Sequence, residues 1–279
     1  MLRYHLARPW LCGLRAWRRI GAPPPRALRI LLLHDVPEAR LGALDRLLDT
    51  VKRRHGFVTP DEAEAWLAGA APQQGGSPCL LTFDDGFASN HAAATVLDRH
   101  GVRALFFVCP GLVELEGEAQ RQAIAATIFD GRPGVADLPH DLRLMSWQEI
   151  GALEEMGHTI GAHSMTHRRL SLLRGDALAR EVLDCNEVLA ARLGTRATWF
   201  AYPFGSLDSI STAALAVIAS EYRFCRSGVR GPNTGATDRL ALRADQIDLE
   251  APDDYQSLVV EGGLDWRYAV QRRHLDALR

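Results

Sequence analysis

Two pairs of polar residues, each placed directly after an apolar run, have side chains that can hold a metal ion. Asp84 and Asp85 follow the apolar run 79–83, and His163 and His167 follow a second such run. One carboxylate and two imidazoles make a set of three ligands that leaves coordination positions open for water or substrate, as a catalytic zinc site requires. The other aspartate then remains available as a general base.

An enzyme that hydrolyses an unreactive amide needs more than a metal. It must generate a nucleophile, polarise the carbonyl, stabilise the oxyanion and protonate the leaving amine. A metal held by Asp85, His163 and His167 can provide the first two functions, and Asp84 can take the proton from the attacking water. His34, which ends another apolar run, is the candidate for the acid because imidazole titrates near neutral pH.

Each of these motifs also has a simpler interpretation. An Asp-Asp-Gly sequence after a strand is often only a turn, and two histidines four residues apart are more often surface or core residues than ligands. A lone histidine after a hydrophobic strand is a weaker signal still. Their joint occurrence, each at the end of a predicted strand, favours an active site.

The elements that must position these residues alternate along the chain between short apolar runs and amphipathic segments. The apolar runs predict strands over 29–34, 79–83, 104–109, 158–162, 197–202 and 222–226, and the amphipathic segments predict helices over 41–54, 89–100, 146–156, 176–193 and 208–220. Gly, Pro and Gln predict a loop over 70–78, and the region 111–144 has no clear pattern. Repeated strand–helix units predict a parallel sheet or a barrel with active residues at the strand ends.

Composition limits the possible partners and compartments. The chain has 279 residues, of which 47% are hydrophobic and 24% charged, and this suits one large α/β domain. A formal net charge of −2 gives no reason to expect a nucleic acid as partner. The five cysteines are widely spaced and form no CxxC pair, which favours a reducing compartment over a disulfide framework. We therefore expect a cytoplasmic protein.

The first 29 residues differ from the rest of the chain, since they carry seven arginines and no acidic residue. Arginines interrupt the segment too often for a secretory signal, and no run is long enough for a spanning helix. Residues 1–28 are therefore expected to form a basic extension ahead of the domain 29–279. A basic helix bearing Trp10 and Trp17 could lie on the inner membrane as a peripheral contact. The simpler interpretation is a solvated, partly frayed extension.

Three motifs together resemble those of the polysaccharide deacetylases, which form carbohydrate esterase family 4 and share the NodB homology domain. Thr82–Gly86 is similar to the first family motif, and His163–His167 is similar to the second. The segment Phe200–Gly205 resembles the third motif, which lines the substrate groove. The resemblance covers roughly residues 30–248, and the first two motifs together are highly specific.

The resemblance implies a role for each residue of the first two motifs. Asp84 would be the catalytic base, and Asp85, His163 and His167 would bind one divalent metal. Zinc is the expected metal, although a site of imidazole and carboxylate ligands also suits cobalt, nickel or iron.

The third motif implies groove residues and also contains a departure from the family. Tyr202, Pro203 and Phe204 would line the groove, with the backbone N–H of Phe204 binding the oxyanion. Ala201 stands where the family usually has an arginine that braces the catalytic aspartate. Arg243 is the predicted substitute, because a base at the end of a buried strand needs an orienting donor and arginine supplies a planar fork of them.

A second departure concerns the order of the motifs. The family's last motif, an apolar strand that ends in the general acid His, normally lies near the C-terminus, but the only histidine after Gly205 is His274 in a charged segment. Residues 32–35, with His34, fit that motif instead. This resembles the circularly permuted arrangement of the poly-N-acetylglucosamine deacetylase branch. The expected fold is thus a distorted (β/α) barrel of about seven parallel strands.

The resemblance implies a metal-dependent hydrolase that removes N-acetyl groups from amino sugars during envelope glycan biosynthesis. The substrate would be a polysaccharide, a glycolipid or a sugar precursor, and a cytoplasmic address favours a lipid-linked or nucleotide-linked one. A phosphoesterase or amidohydrolase with two metals would need further ligands, and no additional cluster is found in the sequence. A carbohydrate-binding pseudoenzyme is the alternative, and it rests on Ala201 alone.

Overall fold

A sheet of seven strands, which pair in parallel, forms the centre of the molecule. The computed structural model of the chain describes residues 2–21, 26–69 and 77–278. The strands are β1 Arg29–Leu33, β2 Cys79–Phe83, β3 Leu105–Val108, β4 Thr159–Ala162, β5 Trp199–Ala201, β6 Phe224–Arg226 and β7 Asp245–Gln246. Their order in the sheet is β6-β5-β4-β3-β2-β1-β7.

One segment near the C-terminus contacts both edges of this sheet. At Leu242 it pairs with β6, where the Leu242 N–H donates to the Cys225 carbonyl at 3.0 Å. It then continues as β7, which pairs with β1, and the Ile247 N–H donates to the Leu32 carbonyl at 2.9 Å. The sheet therefore curls towards a barrel, and the predicted distorted (β/α) barrel of about seven parallel strands is confirmed.

Helices surround the sheet. They are α1 Leu2–His5, α2 Ala7–Ile20, α3 Leu41–Arg54, α4 Pro60–Leu67, α5 Ser89–His100, α6 Pro110–Val113, α7 Gly117–Ala123, α8 Trp147–Glu155, α9 Gly175–Ala179, α10 Cys185–Leu193, α11 Thr212–Glu221, α12 Asp253–Val260 and α13 Ala269–Ala277. None of these helices, within the described ranges, has the length and apolar character needed to cross a membrane.

Local signals in the sequence explain where several helices begin and end. Ser146 accepts a hydrogen bond from the Glu149 N–H while the Glu149 side chain accepts one from the Ser146 N–H, so a capping box starts α8 as predicted. Gly101 has the left-handed conformation that ends α5. The unassigned region 111–144 contains α7 and one π-helical turn, 124–128. Most of the predicted loop 70–78 lies outside the described residues.

Alternation along the strands separates two layers of the core. One set of alternate residues fills the inside of the curled sheet, namely Ile30, Leu32, Leu80, Leu105, Phe107, Trp199, Ala201, Phe224, Leu242 and Ala244. The intervening residues face the helices, namely Leu31, Leu33, Leu81, Phe83, Phe106, Phe200, Tyr202 and Cys225. Because side chains in a strand alternate between faces, this register decides which residues reach the carboxyl end of the barrel interior.

The arginine-rich N-terminal segment is helical and is docked on the domain. Ala7 and Leu11 of α2 are buried against Leu258 of α12. The Arg15 guanidinium pairs with the Glu261 carboxylate at 2.5 Å. The interpretation of this segment as a solvated, frayed extension is therefore wrong for residues 7–20, because the helix has its own apolar contact with the domain.

Candidate active site

A cavity of about 880 Å³ lies at the carboxyl ends of the strands, where parallel α/β folds place their functional residues. His34 follows β1, Asp84 and Asp85 follow β2, and His163 follows β4. All four line this cavity, together with His167, Phe204 and Arg226. The predicted base, acid and metal ligands, which are far apart in the sequence, therefore lie around one space.

Asp85, His163 and His167 form a compact, buried cluster. The Asp85 Oδ1 atom lies 3.4 Å from His163 Nε2 and 3.2 Å from His167 Nε2. One possible ligand atom from each residue lies within 4.8 Å of the others. Within the described ranges this is the one group of three or more such side chains with metal-binding geometry, so a second metal centre has no support there.

Hydrogen bonds on the far side of each imidazole determine which nitrogen faces the cluster. The Nδ1 atom of His163 lies 2.7 Å from the Ala201 carbonyl oxygen, and that of His167 lies 3.0 Å from the Thr127 carbonyl oxygen. A carbonyl only accepts, so both Nδ1 atoms carry a proton and both Nε2 atoms point towards Asp85, where each can donate to the carboxylate when protonated or offer its lone pair to a cation when neutral. Converging lone pairs and a carboxylate in a buried place fit a bound divalent cation, with the backbone carbonyls as outer partners.

The protonation of Asp85 agrees with this arrangement. Burial alone would raise the pKa of Asp85, but the hydrogen bonds from His163 and His167, together with the charge of His167, outweigh burial and hold this pKa well below the ordinary value. The carboxylate is therefore ionised throughout the pH range in which a metal would bind.

Backbone strain is concentrated in the cluster and in residues next to it. Asp85, Ser164, His167 and Phe204 have φ values of 71°, 63°, 58° and 65°, in the left-handed region that non-glycine residues seldom adopt. The Ser164 hydroxyl accepts a hydrogen bond from the His167 N–H at 3.0 Å and supports one of these turns. Such strain persists where the surrounding structure demands a particular side-chain position.

Asp84 is held by an arginine that the sequence reasoning missed. The Arg226 guanidinium donates a hydrogen bond from Nη2 to Asp84 Oδ1, and both side chains are buried. Arg226 also lies over the Phe107 ring, with 4.9 Å from its Cζ atom to the ring centroid. The Asp84 carboxylate therefore has a fixed orientation beside the cluster of Asp85, His163 and His167 without belonging to it.

Arg226 lies on the strand next to Ala201, the position at which the family usually has its arginine. Ala201 of β5 and Arg226 of β6 are register partners. The guanidinium thus comes from the adjacent strand, and the support that Ala201 gave to a pseudoenzyme is lost. One signal was present in the sequence, because Arg226 ends the predicted strand 222–226.

The prediction that Arg243 orients the base is wrong. Its Nη2 atom donates to the Asp276 carboxylate at 2.6 and 2.8 Å, and Nη1 donates to the Thr237 hydroxyl at 2.7 Å. The reason is the register, since Leu242 and Ala244 face the barrel interior and the residue between them must face outwards.

The third motif contributes to the cavity through fewer residues than predicted. Phe204 and Gly205 line it. The prediction that Tyr202 and Pro203 also line the groove is wrong, because both residues are buried and neither borders the cavity. Tyr202 faces the helices as part of the outer core layer. The Phe204 ring packs against His167, with 4.8 Å between ring centroids.

Comparisons with known proteins agree with this geometry. No curated protein matches the chain by sequence. Among solved structures, the chain is similar to the Streptococcus pyogenes deacetylase PplD in complex with acetate, with a TM-score of 0.66 and 18% identity, covering 85% of this chain and 99% of that chain. It is also similar to IcaB from Ammonifex degensii, with a TM-score of 0.62 and 22% identity over 85% of this chain and 97% of that one.

A third similar structure is the BpsB deacetylase domain from Bordetella bronchiseptica, with a TM-score of 0.63 and 19% identity over 81% of this chain and 98% of that one. At such low identities these likenesses show the fold. The family model described as polysaccharide deacetylase matches residues 72–221, more than half of the sequence. On this match, the chain belongs to the polysaccharide deacetylase family.

Proposed function

We propose that the protein is a metal-dependent deacetylase that removes N-acetyl groups from amino sugars. The observation that carries the proposal is the pairing of Asp84 with Arg226 directly beside the Asp85, His163 and His167 cluster. A carboxylate that is oriented next to a metal site, but is not part of it, is what a general base requires.

Each group in the cavity has a proposed part in amide hydrolysis. A zinc, cobalt, nickel or iron ion held by Asp85, His163 and His167 would supply an acidified water and polarise the acetyl carbonyl. Asp84 takes the proton from the attacking water. His34 donates a proton to the nitrogen of the leaving amine as the C–N bond breaks. The Phe204 N–H is the proposed donor to the oxyanion.

The substrate proposed is an N-acetylated polysaccharide, glycolipid or sugar precursor of an envelope glycan. A cavity of about 880 Å³ is large enough for more than an acetamide group. Phe129, Phe204 and Tyr268 are among its lining residues and offer aromatic surface to sugar rings. Acetate, present in the structure of PplD, is the product that this reaction would release.

A reducing, cytoplasmic compartment is part of the proposal. It suits Cys79, Cys109, Cys185 and Cys225, which are buried core residues. Burial raises the pKa of the Cys79 thiol to about 12, so this thiol stays protonated and unreactive. Fractionation of cells that express the full chain would test the compartment.

The test of the proposed function is acetate release from N-acetylated chitooligosaccharide by the purified protein. Chelation should abolish turnover, and re-addition of zinc, cobalt, nickel or iron should identify the metal that restores it. Asp84→Asn should keep the metal and lose about 10²–10⁴-fold in rate. The double variant His163→Ala/His167→Ala should lose the metal while remaining folded. Full metal occupancy in that double variant, or wild-type turnover by Asp84→Asn, would contradict the assignment.

A further inference from the structure

The docked helix α2 has an inner apolar stripe that its contact with the domain explains. Ala7 and Leu11 lie one turn apart and are buried against Leu258. Leu14 continues this stripe and packs against the same cluster. Packing against α12 explains why these three residues are apolar, but it involves no other apolar residue of the helix.

A second apolar stripe on the same helix faces solvent. Its members are separated by four, seven and three residues and so lie on one side of the helix. They are Leu6 at the N-terminal end, Trp10, Trp17 and Ile20. Trp17 is 62% exposed and Ile20 is 87% exposed. Two tryptophans on an exposed stripe have no role in the core and are typical of a binding surface.

The C-terminal segment extends this stripe into a broader surface. The Trp266 ring stacks on the Trp10 ring, with 6.1 Å between centroids and 3° between planes. Trp266 and Val270 are exposed and lie four residues apart. We call the six side chains Leu6, Trp10, Trp17, Ile20, Trp266 and Val270 the outer face. They are six of the seven exposed large apolar residues in the described ranges, and the seventh is Leu172.

The two segments that carry the outer face also carry exposed positive charges. The exposed arginines of the two segments are Arg8, Arg19, Arg267 and Arg273.

Three acidic residues of the C-terminal segment are paired with arginines. Asp265 pairs with Arg29 at 2.7 Å and Asp276 pairs with Arg243 at 2.6 Å. The Glu261 carboxylate forms an ion pair with Arg15. With these acids paired, the two segments that carry the outer face have an excess of positive charge.

One end of the outer face, at Leu6 and Trp10, lies next to the catalytic cavity. A groove of about 270 Å³ beneath it is lined by Leu6, Trp10 and Tyr268. Tyr268 also lines the catalytic cavity. One side chain therefore borders both spaces, and a surface bound at the outer face would be close to the cavity.

We propose that the outer face binds the surface of an anionic membrane and holds the catalytic cavity beside it. Tryptophans favour the boundary between headgroups and acyl chains, and arginines next to them attract anionic lipid. Aliphatic and indole side chains with basic neighbours and neutralised acids fit such a surface better than they fit a second copy of this positive region. If the proposed deacetylation also holds, its substrate is anchored in that membrane.

The test is sedimentation of the full chain with vesicles, which is read without turnover and is thus independent of the proposed activity. Vesicles of equal parts phosphatidylglycerol and phosphatidylcholine should carry the protein down, and vesicles of phosphatidylcholine alone should carry much less. Trp17→Ser/Ile20→Ser should weaken binding roughly tenfold or more, since both side chains would otherwise enter the lipid. Leu172→Ser is the matched control, because Leu172 is 76% exposed but lies elsewhere, and it should bind as the wild type does.

Charge is tested by a second pair of variants. Arg8→Gln/Arg19→Gln should weaken binding to the anionic vesicles about fivefold for each arginine. Arg54→Gln/Arg180→Gln removes the same charge from other exposed positions and should have little effect. Failure of the wild type to bind anionic vesicles, or equal losses in test and control variants, would overturn the proposal. So would a dimer in light scattering that Trp17→Ser/Ile20→Ser dissociates, because the outer face would then be a contact between two copies.

Discussion

At the scale of single residues, the buried pair of Asp84 and Arg226 is the most important contact for the proposed reaction. Arg226 is 1% exposed and lies over the Phe107 ring, so its guanidinium has lost nearly all contact with water. A buried carboxylate is tolerated when a charged donor compensates it, and the planar guanidinium also fixes its direction. Arg226 is therefore a positioning residue, acting through Asp84.

Arg226→Lys should lower kcat roughly tenfold to 10²-fold with little change in KM, because lysine keeps the charge but cannot hold the carboxylate with a planar fork. Metal content should be unchanged. Arg243→Lys is the matched control, since Arg243 is another buried arginine paired with an aspartate, and it should affect stability without affecting kcat. Steady-state kinetics of the two variants test this prediction. Equal kcat values for Arg226→Lys and Arg243→Lys would contradict a positioning role for Arg226.

His34→Ala should keep the metal and lose activity on N-acetyl substrates, because the amine nitrogen would leave without a proton. The alkaline limb of the pH–rate profile should disappear as well. The acetate ester of a nitrophenol is the control substrate, since its leaving group departs without protonation. A similar fall in rate on the amide and on this ester would exclude the acid role of His34.

At the scale of elements, the alternation of side chains along each strand selects the residues of the site. Trp199 and Ala201 of β5 face the barrel interior, and Phe200 faces the helices. The same rule sends Arg226 into the cavity and Arg243 out of it. The loops after the strands then turn sharply. At Gly205 the backbone of one such loop passes very close to the backbone of Gly228.

Gly205→Ala should destabilise the protein more than Gly194→Ala, although both glycines have positive φ, 66° and 78°. A Cβ atom at Gly205 would lie 2.6 Å from the Gly228 nitrogen, whereas one at Gly194 would meet nothing within 4 Å. The left-handed conformation costs alanine about 1 kcal/mol at either site, and the close approach adds about 1–3 kcal/mol at Gly205.

Urea unfolding measures this difference. Gly205→Ala should also lower kcat, because Gly205 and Gly228 both line the cavity. Equal free energies of unfolding in the two variants would show that the loop moves aside without cost.

At the scale of the whole molecule, His158 links stability to pH. Burial, followed by the charge of Arg103, lowers the pKa of His158 to about 4. Its Nδ1 atom accepts a hydrogen bond from the Ala104 N–H at 3.1 Å, so the neutral form is required. Between pH 6.5 and 4 the unfolded chain binds the proton more readily, and stability is therefore lost as the pH falls through this window.

From pH 7 to 5 this loss should reach about 2 kcal/mol in the free energy of unfolding. Asp245 acts in the opposite sense, because burial raises its pKa to about 6 and the folded form takes up the proton first. Comparison with His158→Asn isolates the histidine, since Asp245 is present in both proteins and an amide oxygen can replace Nδ1 as acceptor. His158→Asn should have a smaller loss than the wild type, and identical losses would refute this source of acid sensitivity.

The sequence by itself determined the types of residue at the strand ends and the alternation of strands with helices. Apolar runs that end in Asp84, His163 or His34 are local patterns, and parallel strands bring their carboxyl ends to one side of a sheet. For this reason the cluster of Asp85, His163 and His167, and a parallel sheet or barrel, could be predicted without coordinates. The capping box at Ser146 was equally local and was predicted correctly.

Only the tertiary structure decided how residues from different segments meet. Arg226 reaches Asp84 because it pairs across the sheet with Ala201, and that register is a contact between strands that no local pattern encodes. Tyr202 and Arg243 were misplaced for the same reason, since a shift of one residue reverses the face of a side chain. The inner stripe of α2 likewise found its partner only in α12, some 240 residues later in the chain. Local sequence patterns thus indicate which residues are candidates for the site, and strand register and long-range packing determine which of them reach it.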